Sequence, residues 1–126
     1  MGNTTEIGRA AELAARQYLE TQGLVFLEQN YRCRYGEIDL IMQHDKALVF
    51  IEVRYRSNAR FGSGSETINY QKQQKLIATA SHYLQKHKQS ANHHCRFDVI
   101  SLSANKAKQI DATKIQWISN AFIDSY

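Results

Sequence analysis

The stretch Gly36-Glu37-Ile38-Asp39-Leu40-Ile41-Met42, followed after Gln43-His44-Asp45-Lys46 by Ala47-Leu48-Val49-Phe50-Ile51-Glu52-Val53-Arg54, decides the fold. Ile38, Leu40 and Met42 alternate with Glu37, Asp39 and Ile41, and Val49, Ile51 and Val53 alternate with Phe50, Glu52 and Arg54. A period of two marks strands, and the short polar turn at His44-Asp45-Lys46 joins them as a hairpin. A turn centred between Asp45 and Lys46 sets Asp39 opposite Glu52 and Glu37 opposite Arg54. All four side chains are then expected on one face, with Ile38, Leu40, Met42, Val49, Ile51 and Val53 on the other. A one-residue slip would bury the charges, which supports this register.

Two carboxylates across a strand pair have Cβ atoms roughly 5 Å apart and repel each other. A hard divalent cation offsets that repulsion, since Mg²⁺ takes one or two carboxylates, keeps several waters and accepts phosphate oxygens. From spacing alone the competing reading stays open: Glu37, Asp39, Glu52 and Arg54 can equally be the salt-bridged outer surface of a hairpin.

Outward from the hairpin, Ile7, Ala11, Ala14, Ala15, Tyr18 and Leu19 recur at helical spacing between Thr5 and Gln22. Thr4 or Thr5 is the expected N-cap and Gly23 the expected stop. Leu24–Leu27 reads as a short strand and Gln29–Gly36 as a connecting stretch. On the far side, Ser57–Ser65 reads as a loop. A second helix is expected over Tyr70–His87, with Leu76, Ala80, Tyr83 and Leu84 on one face and Lys72, Lys75 and Thr79 on another. His94–Leu102 and Ile115–Ile118 read as strands, separated by a polar loop from Ser103 to Thr113. The order α-β-β-β-α-β-β predicts an α/β fold, a mixed sheet flanked by helices.

With 126 residues, 43% of them hydrophobic, the chain is expected to be one domain spanning 1–126 that folds on its own core. No secretory signal opens it, and no apolar run approaches the ~20 residues of a spanning helix. A cytoplasmic protein without a membrane partner is therefore expected. Cys33 and Cys95 are too few for a disulfide framework. His93, His94 and Cys95 with Cys33 lack the spacing of a zinc site, and His94 and Cys95 read better as the start of a strand.

Charge is unevenly distributed. Residues 1–52 carry five Lys or Arg against eight acids, net −3, whereas residues 53–96 carry eight against Glu66 alone, net +7. An acidic cluster beside a basic block suits a site that holds both a cation and a polyanion, although a solvated basic face explains the same tally. Tyr55, Phe61 and Tyr70 interleave with Arg54, Arg56 and Arg60, as where bases stack beside phosphates. Core packing explains Tyr55 equally well. Gly62-Ser63-Gly64-Ser65 lacks the Gly-Lys-Ser/Thr of a nucleotide-binding loop.

The chain also resembles a known family. Gly36-Glu37-Ile38-Asp39-Leu40-Ile41 with Leu48-Val49-Phe50-Ile51-Glu52-Val53-Arg54-Tyr55-Arg56 is similar to the YraN-type family of uncharacterised bacterial proteins, related to the PD-(D/E)xK restriction-endonuclease-like nucleases and archaeal Holliday junction resolvases. The likeness continues through Gly8–Glu12, Tyr18-Leu19, Asn30-Tyr31-Arg32, Lys72–Leu76, Arg96–Val99, Trp117-Ile118 and Ala121-Phe122. It implies a restriction-endonuclease-like αβββαβ core and a DNA endonuclease of repair or recombination, using Mg²⁺ or Mn²⁺. It implies that Asp39 and Glu52 bind the metal and that Glu12 matches the acid that resolvase-like members add.

Arg54 stands where the family motif has lysine. Arginine is always protonated and cannot act as a base, but its fork can hold a phosphate or the attacking hydroxide. Arg54 is therefore expected to act with Glu12, Asp39 and Glu52 as a catalytic residue that stabilises the transition state, with catalysis weakened or the lysine's role moved to Lys72 or Lys75. Arg56, Arg60, Lys72 and Lys75 are the expected nucleic-acid contacts, DNA ahead of RNA. Resolvase relatives act as dimers, so a homodimer is implied by resemblance, with no dimer surface legible in the residues. A non-catalytic nucleic-acid-binding module with a decayed site is the alternative.

Overall fold

The computed structural model describes residues 2–56, 68–87, 94–103, 110 and 114–122. Arg60, Phe61, His93 and the Ser57–Ser65 loop lie outside them. The elements are α1 (Gly2–Thr21), β1 (Val25–Cys33), β2 (Gly36–His44), β3 (Ala47–Arg56), α2 (Tyr70–Lys86), β4 (His94–Ser103) and β5 (Gln116–Phe122). They form one five-stranded sheet in the order β1-β2-β3-β4-β5. All neighbours are antiparallel except β3 and β4, which run parallel and are joined through α2. This is the helix-flanked mixed sheet expected from the element order.

Each face of the sheet carries one helix. Ala11, Ala15 and Leu19 of α1, four residues apart and almost wholly buried, pack with Leu40, Met42, Val49, Ile51, Ile100 and Leu102. On the opposite face Leu76, Ala80 and Tyr83 of α2 pack with Ile41, Leu48, Phe50, Phe97 and Val99. Buried on both faces, β3 is apolar from Leu48 to Ile51 without a break, as a central strand in parallel pairing requires. Tyr55 and Trp117 pack against the α1-side core.

The hairpin register is the expected one, with Leu40 opposite Ile51, Met42 opposite Val49 and His44 opposite Ala47. Gly23, at φ 95°, ends α1 as foreseen. Its amide bonds Glu20 O at 3.1 Å while that of Leu24 bonds Leu19 O at 3.1 Å, the paired closure typical of glycine-terminated helices.

Four expectations need correction. Helix α1 begins at Gly2, so Thr4 and Thr5 lie within it rather than capping it. Strand β1 runs to Cys33, so most of the supposed connecting stretch is strand. A register shift between Phe26 and Glu28 and the left-handed Asn30, φ 54°, break its alternation and hide it from a period-two reading. Ile38 belongs to the α2-side core with Tyr31, not to the α1-side set with Leu40 and Met42. Thr79, expected on the polar face of α2, is fully buried, and its hydroxyl donates to Lys75 O at 2.8 Å.

Candidate metal-binding and nucleic-acid site

Where β2 and β3 stop pairing, two carboxylates are left facing α2. The regular ladder ends at Leu40 and Ile51, and beyond it the amide of Val53 donates to Asp39 Oδ2 at 2.8 Å. Asp39 thus replaces a backbone acceptor at the point of divergence. Glu52, only 8% exposed, follows Leu48 and Phe50 along the α2 face of β3. The two acids look into an open cleft of about 380 Å³, which Gly36 and the α2 residues Gln71, Lys72 and Lys75 also line.

Local sequence sets the other wall. Asn69 caps α2, its side-chain oxygen accepting from the Lys72 amide at 2.8 Å, and Ile68 beside it is buried in the core. The first turn has no acid, so the positive end of the helix dipole and the Lys72 ammonium both face the cleft. Lys72 Nζ lies 2.7 Å from Glu52 Oε2. The β1–β2 turn reaches α2 at Gly36, φ 154°, where a Cβ would stand 3.2 Å from Thr79 Oγ1 and 3.8 Å from Lys75 Cβ.

Burial, followed by repulsion from Glu52, pushes the Asp39 carboxyl up to about 7, against the opposing hydrogen bond from Val53. Such a carboxyl gains its charge readily only beside a cation. The donor set suits Mg²⁺ or Mn²⁺: two hard oxygens on an open cleft leave room for waters and phosphate oxygens. Among the described residues no group of three or more His, Cys, Asp or Glu stands together as a metal cage, and His93 of the zinc reading lies outside them.

The other candidates are placed differently. Glu12 lies outside the cleft, in a smaller hollow with Arg9, Asn30, Arg32 and Glu37. The Asn30 amide nitrogen, turned toward the acids, sits 3.3 Å from both Glu12 oxygens and 3.2 Å from Glu37 Oε2. Burial holds the Glu12 carboxyl above its ordinary value, partly offset by this hydrogen bond. Glu37 pairs with Arg32 at 3.4 Å rather than with Arg54, because the break in alternation at Asp39 turns it toward the α1 side, although it still edges the cleft. Arg54 is not among the residues lining the cleft, and its Nε is buried without a hydrogen-bond partner among the described residues. Arg56 ends β3 opposite Ser103. Lys75 joins Lys72 on the cleft wall.

Sequence reading missed Asn30, Gly36, Asn69 and Gln71. Asn69, immediately before the helical period, carried a cap signal. Nothing local marked the other three.

A sequence model of the uncharacterised protein family UPF0102 matches residues 11–102. Similar curated proteins include a UPF0102 protein of Saccharophagus degradans, 46% identical over 97% of both chains. A UPF0102 protein of Nitrosomonas europaea is 46% identical over 99% of this chain and all of its own. One of Hahella chejuensis is 50% identical over 93% of this chain and 90% of its own. Among solved structures, SfsA of Pyrococcus furiosus in complex with Ca²⁺ aligns with TM-score 0.42 and 15% identity, covering 86% of this chain and 62% of that one. No helix is long and apolar enough to cross a membrane among the described residues.

Proposed function

This chain belongs to the uncharacterised protein family UPF0102, the YraN-type family of the sequence resemblance, and from its cleft we propose a divalent-metal-dependent endonuclease that hydrolyses phosphodiester bonds in DNA. The observation that carries the reading is the juxtaposition of Asp39 and Glu52 with the basic first turn of α2 across one open cleft. Acids alone would suit a cation, and lysines alone an anion. Both together suit a phosphodiester with its metal.

In this reading Asp39 and Glu52 hold Mg²⁺ or Mn²⁺, which when bound supplies Lewis-acid stabilisation of the charge developing at phosphorus. The Val53 amide fixes one Asp39 oxygen, so the carboxylate keeps its orientation as substrate arrives. Lys72 is the catalytic cation from the chain itself: it holds Glu52 in position at rest and can turn its ammonium to a phosphate oxygen. Lys75 and the start of α2 bind the flanking phosphate. Arg54 does not take the motif lysine's place, since it does not line the cleft. Glu12 acts at a distance, its charge opposing that of Asp39 through space. Repair or recombination of branched or single-stranded DNA is the process that fits, in the cytoplasm.

One observation favours the alternative of a non-catalytic binding module: Lys72 already neutralises Glu52 and competes with a metal for it. The deciding assay incubates linear, single-stranded and four-way-junction DNA with Mg²⁺, Mn²⁺ or EDTA, with Asp39→Asn and Glu52→Gln beside the wild type. Cutting that requires metal and both acids is expected. Equal cutting by the variants, or binding without products, would sink the endonuclease reading.

A further inference from the structure

A second hollow, of about 600 Å³, opens on the other side of Gly36, between the β1–β2 turn and α2. Arg34 and Tyr35 form one wall, and Ala78, His82 and Gln85 are among the α2 residues of the other. Gly36 is the narrow point between this hollow and the carboxylate cleft, touching α2 at Lys75 and Thr79. Lys75, Ala78, His82 and Gln85 follow at helical spacing, so a single stripe of α2 runs from one hollow to the other.

Tyr35 is the unusual residue here. It is 41% exposed, yet its ring has a neighbour on two sides. Arg34 lies over it, 4.9 Å from the centroid, and donates Nη2 to its hydroxyl at 2.8 Å. His82 meets it edge-on at 6.4 Å. His82 is fixed in turn, its Nδ1 2.6 Å from the hydroxyl of the buried Tyr31. An exposed ring with one neighbour tied to the core is partly preorganised to stack, because less side-chain freedom is lost when a flat partner arrives. None of the described residues around the hollow is acidic, while Arg34 and the neighbouring Lys75 are basic.

We propose that this groove holds an unpaired nucleotide, its base stacked on Tyr35 and its backbone beside Arg34 and Lys75, in a strand whose phosphate lies in the Asp39–Glu52 cleft. The proposal rests on the phosphodiesterase reading for the location of that phosphate, and it narrows the substrate to nucleic acid with a single-stranded segment. A ring can take a base only once the base has left its duplex stack. The seven steps from Lys75 to His82 rise about 10 Å along the helix. At roughly 3.4 Å per nucleotide, the stacked base belongs within about three positions of the phosphate in the cleft.

The test measures quenching of 2-aminopurine placed in single-stranded DNA and RNA, and the affinity of each, in EDTA so that nothing is cut. Wild type and Tyr35→Phe should quench alike in at least one of the two nucleic acids. Tyr35→Ala should lose the quenching and bind that strand roughly ten-fold more weakly, with blunt duplex binding little changed. Circular dichroism checks that the variant is folded. Unchanged quenching and affinity in Tyr35→Ala, or no binding of either single strand by the wild type, would overturn the groove. A parallel Mn²⁺ cleavage assay of wild type and Asp39→Asn separates the two readings. Metal-dependent cutting with no Tyr35 effect removes the groove alone, and Tyr35-dependent stacking without cutting supports the groove while removing the nuclease.

Discussion

The Lys72 ammonium lies 2.7 Å from the Glu52 carboxylate, joining the first turn of α2 to the far half of β3. Lys72 is about half exposed but Glu52 only 10%, so the lysine is the counter-charge of a largely buried carboxylate. Lys72→Ala should lower the melting temperature and, per folded molecule, lower cleavage by roughly a hundred-fold, the scale of losing one charge-stabilising donor. Arg54→Lys should give no gain, because an ammonium already stands at the acids. A ten-fold or greater gain in Arg54→Lys, measured by single-turnover cutting, would instead identify a decayed motif.

The Asp39 carboxyl, held up to about 7 by burial and by Glu52, gives a pH signature. Lys72 and Lys75 on α2, with the more distant Glu12 and Glu37, are the other charges near this pair. The folded state binds the Asp39 proton more tightly than the unfolded chain does. Its contribution to stability is therefore full below about pH 4 and is lost as pH rises through about 7. In metal-free buffer, Asp39→Asn should be more stable than wild type at pH 8, by on the order of 2 kcal/mol, and the gap should shrink toward pH 4. Urea unfolding at the two pH values measures it. A gap that does not change with pH would contradict the assignment.

Gly36 approaches α2 too closely for a side chain. Gly36→Ala places a methyl 3.2 Å from Thr79 Oγ1 at φ 154°, so the turn must move away from α2. A loss of roughly 1–3 kcal/mol is expected, with weaker DNA binding at temperatures where the variant is folded. Thermal melts with and without DNA distinguish the two effects.

The hairpin register, and with it the approach of Asp39 to Glu52, could be read from the sequence because a slip would have exchanged apolar for charged positions along two strands at once. The apolar faces of α1 and α2 were legible for the same reason, a period repeated over several turns. Strand β1 was not, since one bulge and the left-handed Asn30 suffice to scramble a nine-residue alternation. Ile38 was misplaced because alternation was carried through Asp39, where the two strands part. Whether Lys72 or Lys75 would stand against an acid depended on the rotation of α2, which is set by Asn69, Ile68 and Gly36, and spacing within the helix carries no such information.

Asp98, 1% exposed and in register with Ile51 of β3, gathers donors on β4 outside the cleft. It accepts from Arg96 Nε at 3.0 Å, Trp117 Nε1 at 2.9 Å and the Asn120 amide at 2.9 Å, tying β5 to β4. Asp98→Asn leaves the Arg96 guanidinium without its buried counter-charge and should cost about 3–5 kcal/mol, read by urea denaturation. Cleavage per folded molecule should stay near wild type, since no residue of this network lines the cleft.

Strand β1 forms one margin of the sheet, and both of its irregularities fall on it. A straight outer strand offers a row of free amides and carbonyls on which another chain can build, the usual route to edge-to-edge aggregation. The shift beside Phe26 and the left-handed turn of Asn30 make that row uneven. The same kink that brings the Asn30 amide between Glu12 and Glu37 thus also leaves the protein a poor template for its own unfolded copies.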